Sequence, residues 1–151
     1  MSNIIVMPLI IPIITAVVLV FLRKNIVLQR IITLITMIFI TGISILLLQL
    51  VQTEGILKLE FSGWVSPYGI LFVADTFSVL MILSANIVST LCLIYAFSTI
   101  GFKYENMFFY TFILFLIAGV NGSFLTGDIF NLFVCFEVML LASYALISLG
   151  G

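Results

Sequence analysis

Five stretches of this chain are long and apolar enough to cross a bilayer, and no other property restricts its fold as much. About 20 mostly apolar residues at 1.5 Å each cover about 30 Å of hydrocarbon, where every backbone N–H and C=O must be satisfied internally. The runs are about residues 3–22, 31–51, 71–97, 106–124 and 128–149. They predict an all-α polytopic membrane protein: one transmembrane unit over residues 1–151, with five transmembrane helices. The first run carries no charge before it, and it ends in Arg23-Lys24 without a small-residue cleavage site. That pattern reads as a retained span rather than a signal peptide. Pro8 and Pro12 in its first half predict a kink or an irregular first turn, with neighbouring helices satisfying the freed carbonyls.

Charge in the connections sets the expected orientation. Arg23, Lys24 and Arg30 lie between the first and second runs and Lys103 between the third and fourth, whereas only Lys58 falls on the other side. Basic connections stay cytoplasmic, so the N-terminus is expected outside a cell membrane that the chain crosses several times. The long connection 52–70 is then external. Within it Ile56-Leu-Lys-Leu-Glu-Phe61 alternates apolar and charged residues, the period of a short β-strand or one half of a hairpin on the membrane surface between helices two and three. Trp64 and Tyr68 are amphipathic rings suited to anchoring at headgroup level.

Composition removes most chemistry. Only 7% of residues are charged and the net charge is -1, so no basic surface could neutralise a run of phosphates and no nucleic acid is expected as a partner. With no histidine, neither a Ser-His-Asp constellation nor imidazole ligation is available. Cys92 and Cys135 sit inside apolar runs, where a thiol behaves as a small hydrophobe. No phosphate-cradling glycine loop is present, and no cofactor, metal or enzymatic activity is expected.

The chemistry that remains belongs to acids within or beside the spans. Glu54, Glu60 and Glu105 are in connections and are expected to be solvated; Asp75, Asp128 and Glu137 stand apart. An ionised carboxylate at mid-membrane costs at least about 2.5 to 3.5 kcal/mol, so it needs a partner, a water path or a proton. Counted from Asp128, Glu137 lies about 14 Å into the fifth span, near the midplane. It is the candidate proton carrier, against the alternative of an inert structural carboxyl. Phe130, Phe133 and Leu141 share its face, and Tyr144 offers a hydroxyl about 10 Å further inward. Asp128 leaves the opposite side of the helix, about 180° away, so the two acids cannot form a dyad. At the start of a helix it can cap backbone N–H groups or serve a pathway entrance. Asp75, Ser78, Asn86 and Ser89 fall within about 60° of Asp75 on the third span, a polar stripe that could line a hydrated path or bond to a neighbouring helix. In the fourth span Ala118 with Gly122, and Gly119 with Ser123, form overlapping small-xxx-small pairs that admit another helix around Asn121.

The segment Ala118-Gly-Val-Asn-Gly-Ser-Phe-Leu-Thr-Gly-Asp-Ile-Phe-Asn-Leu-Phe-Val-Cys-Phe-Glu137, continuing to Gly151, resembles the fourth and fifth helices of the D-type subunit of the Mrp-type multisubunit sodium/proton antiporters. These are relatives of the pumping subunits of respiratory NADH:quinone oxidoreductase. Gly63-Trp64, Pro67-Tyr-Gly-Ile and Val73-Ala-Asp75 also resemble the external loop of that family and the start of its third helix. The resemblance implies the first third of a protein of about fourteen helices, in line with a fifth span that no basic residue closes. It implies that Glu137 belongs to a proton path, with Asp128 and Asp75 matching two further acids of the family. It implies other membrane subunits as partners, with protons and a monovalent cation, sodium, as cargo in the lipid bilayer. Respiratory relatives typically have a proline shortly after the glutamate; Val138-Met-Leu-Leu-Ala-Ser-Tyr144 has none, which favours the antiporter. The family's lysines in later helices have no counterpart among these residues.

Overall fold

The computed structural model describes residues 2–63 and 68–149. Of the two rings expected to anchor at headgroup level, Trp64 lies outside the described residues and Tyr68 is exposed. A 3-10 turn at Ser2–Val6 leads into helix α1, Met7–Phe21, and α2 follows over Ile26–Glu54. Strand β1, Leu57–Glu60, pairs antiparallel with β2, Leu71–Ala74, in the register Leu57↔Ala74 through Glu60↔Leu71. Helix α3 covers Thr76–Thr99, a one-turn α4 covers Phe102–Glu105, α5 covers Phe109–Leu125 and α6 covers Ile129–Leu149. Among the described residues four helical segments are long and apolar enough to cross a membrane: Asn3–Phe21, Ile26–Glu54, Thr76–Thr99 and Ile129–Leu149. The fourth expected span is the shorter apolar α5, whose 17 residues extend about 26 Å.

Three expected boundaries move, each for a local reason. The third helix does not start at Leu71, because Leu71–Ala74 is strand β2. Asp75 stops the strand: its side chain accepts the Ser78 N–H at 2.7 Å while the Asp75 N–H donates to Ser78 Oγ at 3.1 Å, a reciprocal capping box that fixes the helix start at Thr76. The second helix extends beyond 31–51 at both ends and brings Arg30 into its second turn. It stops where Gly55, at φ 82, adopts a conformation that side chains resist, with its N–H on the Val51 carbonyl. The fourth helix begins at Phe109 rather than 106, because Phe108 at φ 64 breaks the helical path after α4.

Helix α5 is the centre of the bundle, packing on α1, α3 and α6, while α2 packs on α3. Near the hairpin, Ile43, Leu47, Phe72, Val79 and Leu125 form one apolar core; toward the other end, Leu19, Met37, Leu93, Tyr110 and Leu114 form a second. A polar layer separates them. Pro12 has no N–H to give the Pro8 carbonyl four residues earlier, and the Asn121 side chain donates to that carbonyl at 3.0 Å. Asn121 donates also to Asn86 Oδ1 at 3.2 Å, and Asn86 donates to Ser44 Oγ at 3.1 Å, so one chain of polar groups ties α1, α2, α3 and α5. Such interhelical bonds contribute about 0.6 to 2 kcal/mol each in membranes.

The hairpin is seated on the helices through Gly127, whose N–H donates to the Leu71 carbonyl at 2.8 Å. A Cβ there would lie 2.6 Å from Val73 Cγ2, so only glycine permits the approach. The same argument governs α5 against α6. A Cβ on Gly119 would stand 2.9 Å from both the Cys135 carbonyl and the Met139 nitrogen, which are backbone atoms that cannot rotate away. Gly119→Val should therefore separate α5 from α6 and lower the thermal midpoint of the detergent-purified chain. Gly42→Ala, where a Cβ meets nothing within 4 Å, should leave the midpoint unchanged or raise it by up to about 1 kcal/mol of helix propensity. Equal midpoints for Gly119→Val and the unaltered chain would refute this packing.

Candidate functional site

Glu137 projects from α6, about 12 Å beyond its first residue, Ile129. The face of α6 that meets α5 carries Asn131, Cys135 and Ala142. Glu137, two residues after Cys135, leaves the opposite side and is exposed, as are Phe130, Phe133, Leu141 and Tyr144. Only 11% of the most apolar stretch of α6 is buried, against 39% in α2, so this helix gives most of its circumference to its surroundings. Among the described residues the ion pair is Arg30–Glu105, and Glu137 has no such partner. Beside it, Val138, Leu141 and Ala142 with Phe112 and Phe115 line a cleft of about 220 Å³ between α5 and α6. Among the described residues no cluster of three His, Cys, Asp or Glu could hold a metal ion.

Asp128 and Asp75 are grouped near the hairpin, away from Glu137. Asp128 Oδ2 accepts the Asn131 N–H at 3.3 Å in the first turn of α6, and Thr126 Oγ1 accepts from the Asp128 N–H and from the Asn131 amide at 3.3 and 3.0 Å. The carboxylate thus occupies a capping position. Asp75 caps α3 in the same way, and hydrogen bonding from Ser78, side chain first and backbone second, holds its carboxyl below the ordinary carboxylate range. Asn86, further along the expected stripe, is fully buried and spent on Ser44 and Asn121. Of the small residues, Ala118 is buried; Gly119 and Gly122 admit Cys135 of α6, and Gly122 also meets Leu9 of α1. Ser123 donates back to the Gly119 carbonyl at 2.7 Å.

The expected solvation of Glu105 is incorrect. Its side chain is fully buried and accepts from Arg30 Nε at 2.9 Å, Arg30 Nη2 at 2.7 Å and the Tyr110 hydroxyl at 2.5 Å, all on Oε1. The Arg30 guanidinium lies 5.7 Å from the centroids of the Phe97 and Phe102 rings, within reach of their π faces. The pair fastens the start of α2 to the α4–α5 corner, with Glu105 buried and Arg30 still partly open to solvent. The available signal was a lone acid among Arg23, Lys24, Arg30 and Lys103 with Tyr110 five residues on. A linear reading could not see that α2 starts early enough to bring Arg30 to it.

No family model matches the chain. A D-type Na(+)/H(+) antiporter subunit of Alkalihalophilus pseudofirmus is 48% identical over 151 residues, all of this chain and 31% of that protein. A chain of the Mrp complex from Dietzia sp. DQ12-45-1b superposes with a TM-score of 0.86 at 29% identity, covering 95% of this chain and 26% of its own. A chain of the membrane-bound sulfane sulfur reductase, an archaeal respiratory membrane complex, gives 0.85 at 27% identity, covering 93% and 29%. The resemblance carried by residues 118–151 therefore holds along the whole chain, which spans about 31% of the length of its curated relative.

Because the folded value of Asp75 lies below its ordinary 3.8, its cap contributes fully above that pH and is lost as pH falls through the depressed value. Asp75→Ala should cost about 1 kcal/mol near neutral pH, read as a lower thermal midpoint, with the gap to the unaltered chain narrowing below about pH 4. A gap that stays constant to lower pH would show that the cap does not depend on ionisation.

Proposed function

As a relative of the D-type sodium/proton antiporter subunits over its whole length, the chain is one for which we propose a role in proton translocation coupled to sodium efflux, with Glu137 as the intramembrane proton carrier. The observation that supports this most directly is the placement of Glu137: an acid within an apolar helix, on the face away from the α5 contact, without a cation among the described residues. A carboxyl in hydrocarbon without a cation must hold a proton or release it to water or to a group brought by another segment. Exchanging a proton is what a carrier does. Asp128 and Asp75, as caps near the hairpin, sit where a path from that side would begin.

The five apolar helical segments, α5 included, act as five spans in this reading, in a multi-pass protein of the plasma membrane. Other membrane subunits are its partners, and its chemistry is transport rather than bond-making. The charge distribution supports an N-terminus outside. Arg23, Lys24, Arg30 and Lys103 share one end with the single acid Glu105, whereas Glu54, Glu60, Asp75 and Asp128 share the hairpin end with Lys58. The hairpin is then external. A second reading, a proton-pumping subunit of a respiratory complex, draws on the similar superposition with the sulfane sulfur reductase chain. Dependence of activity on a sodium gradient rather than on a redox substrate separates the two.

In the assembled complex, Glu137→Gln should abolish proton-coupled sodium efflux, assayed in everted vesicles, while the complex still assembles, and Glu137→Asp should keep part of the activity, because glutamine cannot carry a proton. Unaltered exchange in Glu137→Gln would refute the carrier role. For orientation, with Cys92 and Cys135 replaced by alanine, Glu54→Cys should react with an impermeant thiol reagent added outside intact cells, and Asn25→Cys should not. The opposite pattern would invert the topology.

A further inference from the structure

The end of the bundle opposite the hairpin carries three cations, Arg23, Lys24 and Lys103, that form no salt bridge among the described residues. Glu105 is the one acid there among the described residues, and it is enclosed and spent on Arg30. Arg23, Lys24 and Lys103 remain at the surface around it. Their setting is aromatic and apolar: the Arg23 guanidinium lies 4.8 Å from the centroid of the Phe108 ring, and Phe21, Val27, Phe102 and Met107 are exposed nearby in sequence. Phe108 presents that ring from the left-handed conformation, the only non-glycine residue with positive φ among those described. Such backbone costs on the order of 1 kcal/mol or more and persists where surroundings hold it. Two neighbouring features fit a lipid. A cleft of about 330 Å³ opens at this end, with Ile100, Gly101, Tyr104, Phe109, Leu146 and Leu149 in its lining; Gly101 and Tyr104 bracket Lys103 in sequence. The spanning helices also end here, the depth at which phospholipid phosphates sit above acyl chains.

We infer that this end is a binding site for anionic phospholipid: Arg23, Lys24 and Lys103 meet the headgroup phosphates and the adjoining cleft takes part of an acyl chain. The charge balance selects the lipid class. Zwitterionic headgroups bring their own cation and gain little from three unpaired cations, whereas phosphatidylglycerol brings net negative charge. A free anion would satisfy the cations but leave the apolar cleft and the exposed rings in water. The site does not involve Glu137 and stands or falls apart from the carrier role.

The test reconstitutes the full chain in nanodiscs containing spin-labelled phosphatidylglycerol or spin-labelled phosphatidylcholine and reads the fraction of each that the protein immobilises. Phosphatidylglycerol should be held about fivefold more strongly, the preference should fall as salt is raised, and a combined Arg23→Gln, Lys24→Gln, Lys103→Gln variant should bring the two lipids to parity. Lys58→Gln, at the hairpin end, should leave the preference intact. Equal immobilisation by the unaltered chain, a preference that the triple variant retains, or full displacement of phosphatidylglycerol by inorganic phosphate would each overturn the assignment. The salt dependence of the unaltered chain decides the matter even if the triple variant does not insert: a preference insensitive to salt excludes headgroup recognition by these cations.

Discussion

Pro12 cannot donate a hydrogen bond, and the Pro8 carbonyl it frees would face hydrocarbon or apolar side chains if the Asn121 amide did not reach it at 3.0 Å. The remaining packing follows from that contact. Asn121 is on α5, so pairing with Pro8 draws α1 onto the central helix, and its second hydrogen bond draws in Asn86 of α3 and through it Ser44 of α2. Close approach of α6 to α5 then requires residues without bulk. Gly119 and Gly122 meet that requirement and let α6 lie with Cys135 and Met139 against the α5 backbone. At Gly122 both α1, through Leu9, and α6, through Cys135, reach the α5 backbone, and Glu137, exposed, leaves α6 on the side away from Cys135.

Glu105 and Glu137 stand in opposite settings, the first buried within the chain and the second exposed on an apolar helix. The Glu105 side chain is buried and accepts from the Arg30 guanidinium and the Tyr110 hydroxyl, an arrangement that suits fastening. Among the described residues Glu137 has no ion-pair partner, which is the setting the proposed carrier role requires. Asp75 and Asp128 take a third course: both are caps, spending their oxygens on backbone N–H groups where helices begin at the hairpin end.

Periodicity and apolar length are enough to read the helices and the strand alternation at Ile56–Phe61, because both depend on local pattern. They misplace the start of the third helix, since Leu71–Ala74 is apolar in either state and only its partner strand 57–60 and the Gly127 contact decide for strand. The position of Glu137 along its helix follows from counting residues alone. The fate of Glu105 does not, because it depends on Arg30, 75 positions away in sequence. Asn86 and Asn121 were visible as polar residues on apolar faces, but which partners they choose is a property of the tertiary arrangement, and so is the freed carbonyl that Asn121 satisfies.

The central claim is that Glu137 is an exchangeable carboxyl in an apolar setting while Glu105 is a locked one. A hydrophobic carbodiimide, which reacts with protonated carboxyls from within the bilayer, measures this difference directly when labelled peptides from treated membranes are identified by mass. The account predicts modification at Glu137 that increases as pH is lowered, with Glu105 left intact behind Arg30 and Tyr110. Labelling at Glu105 with none at Glu137 would contradict it.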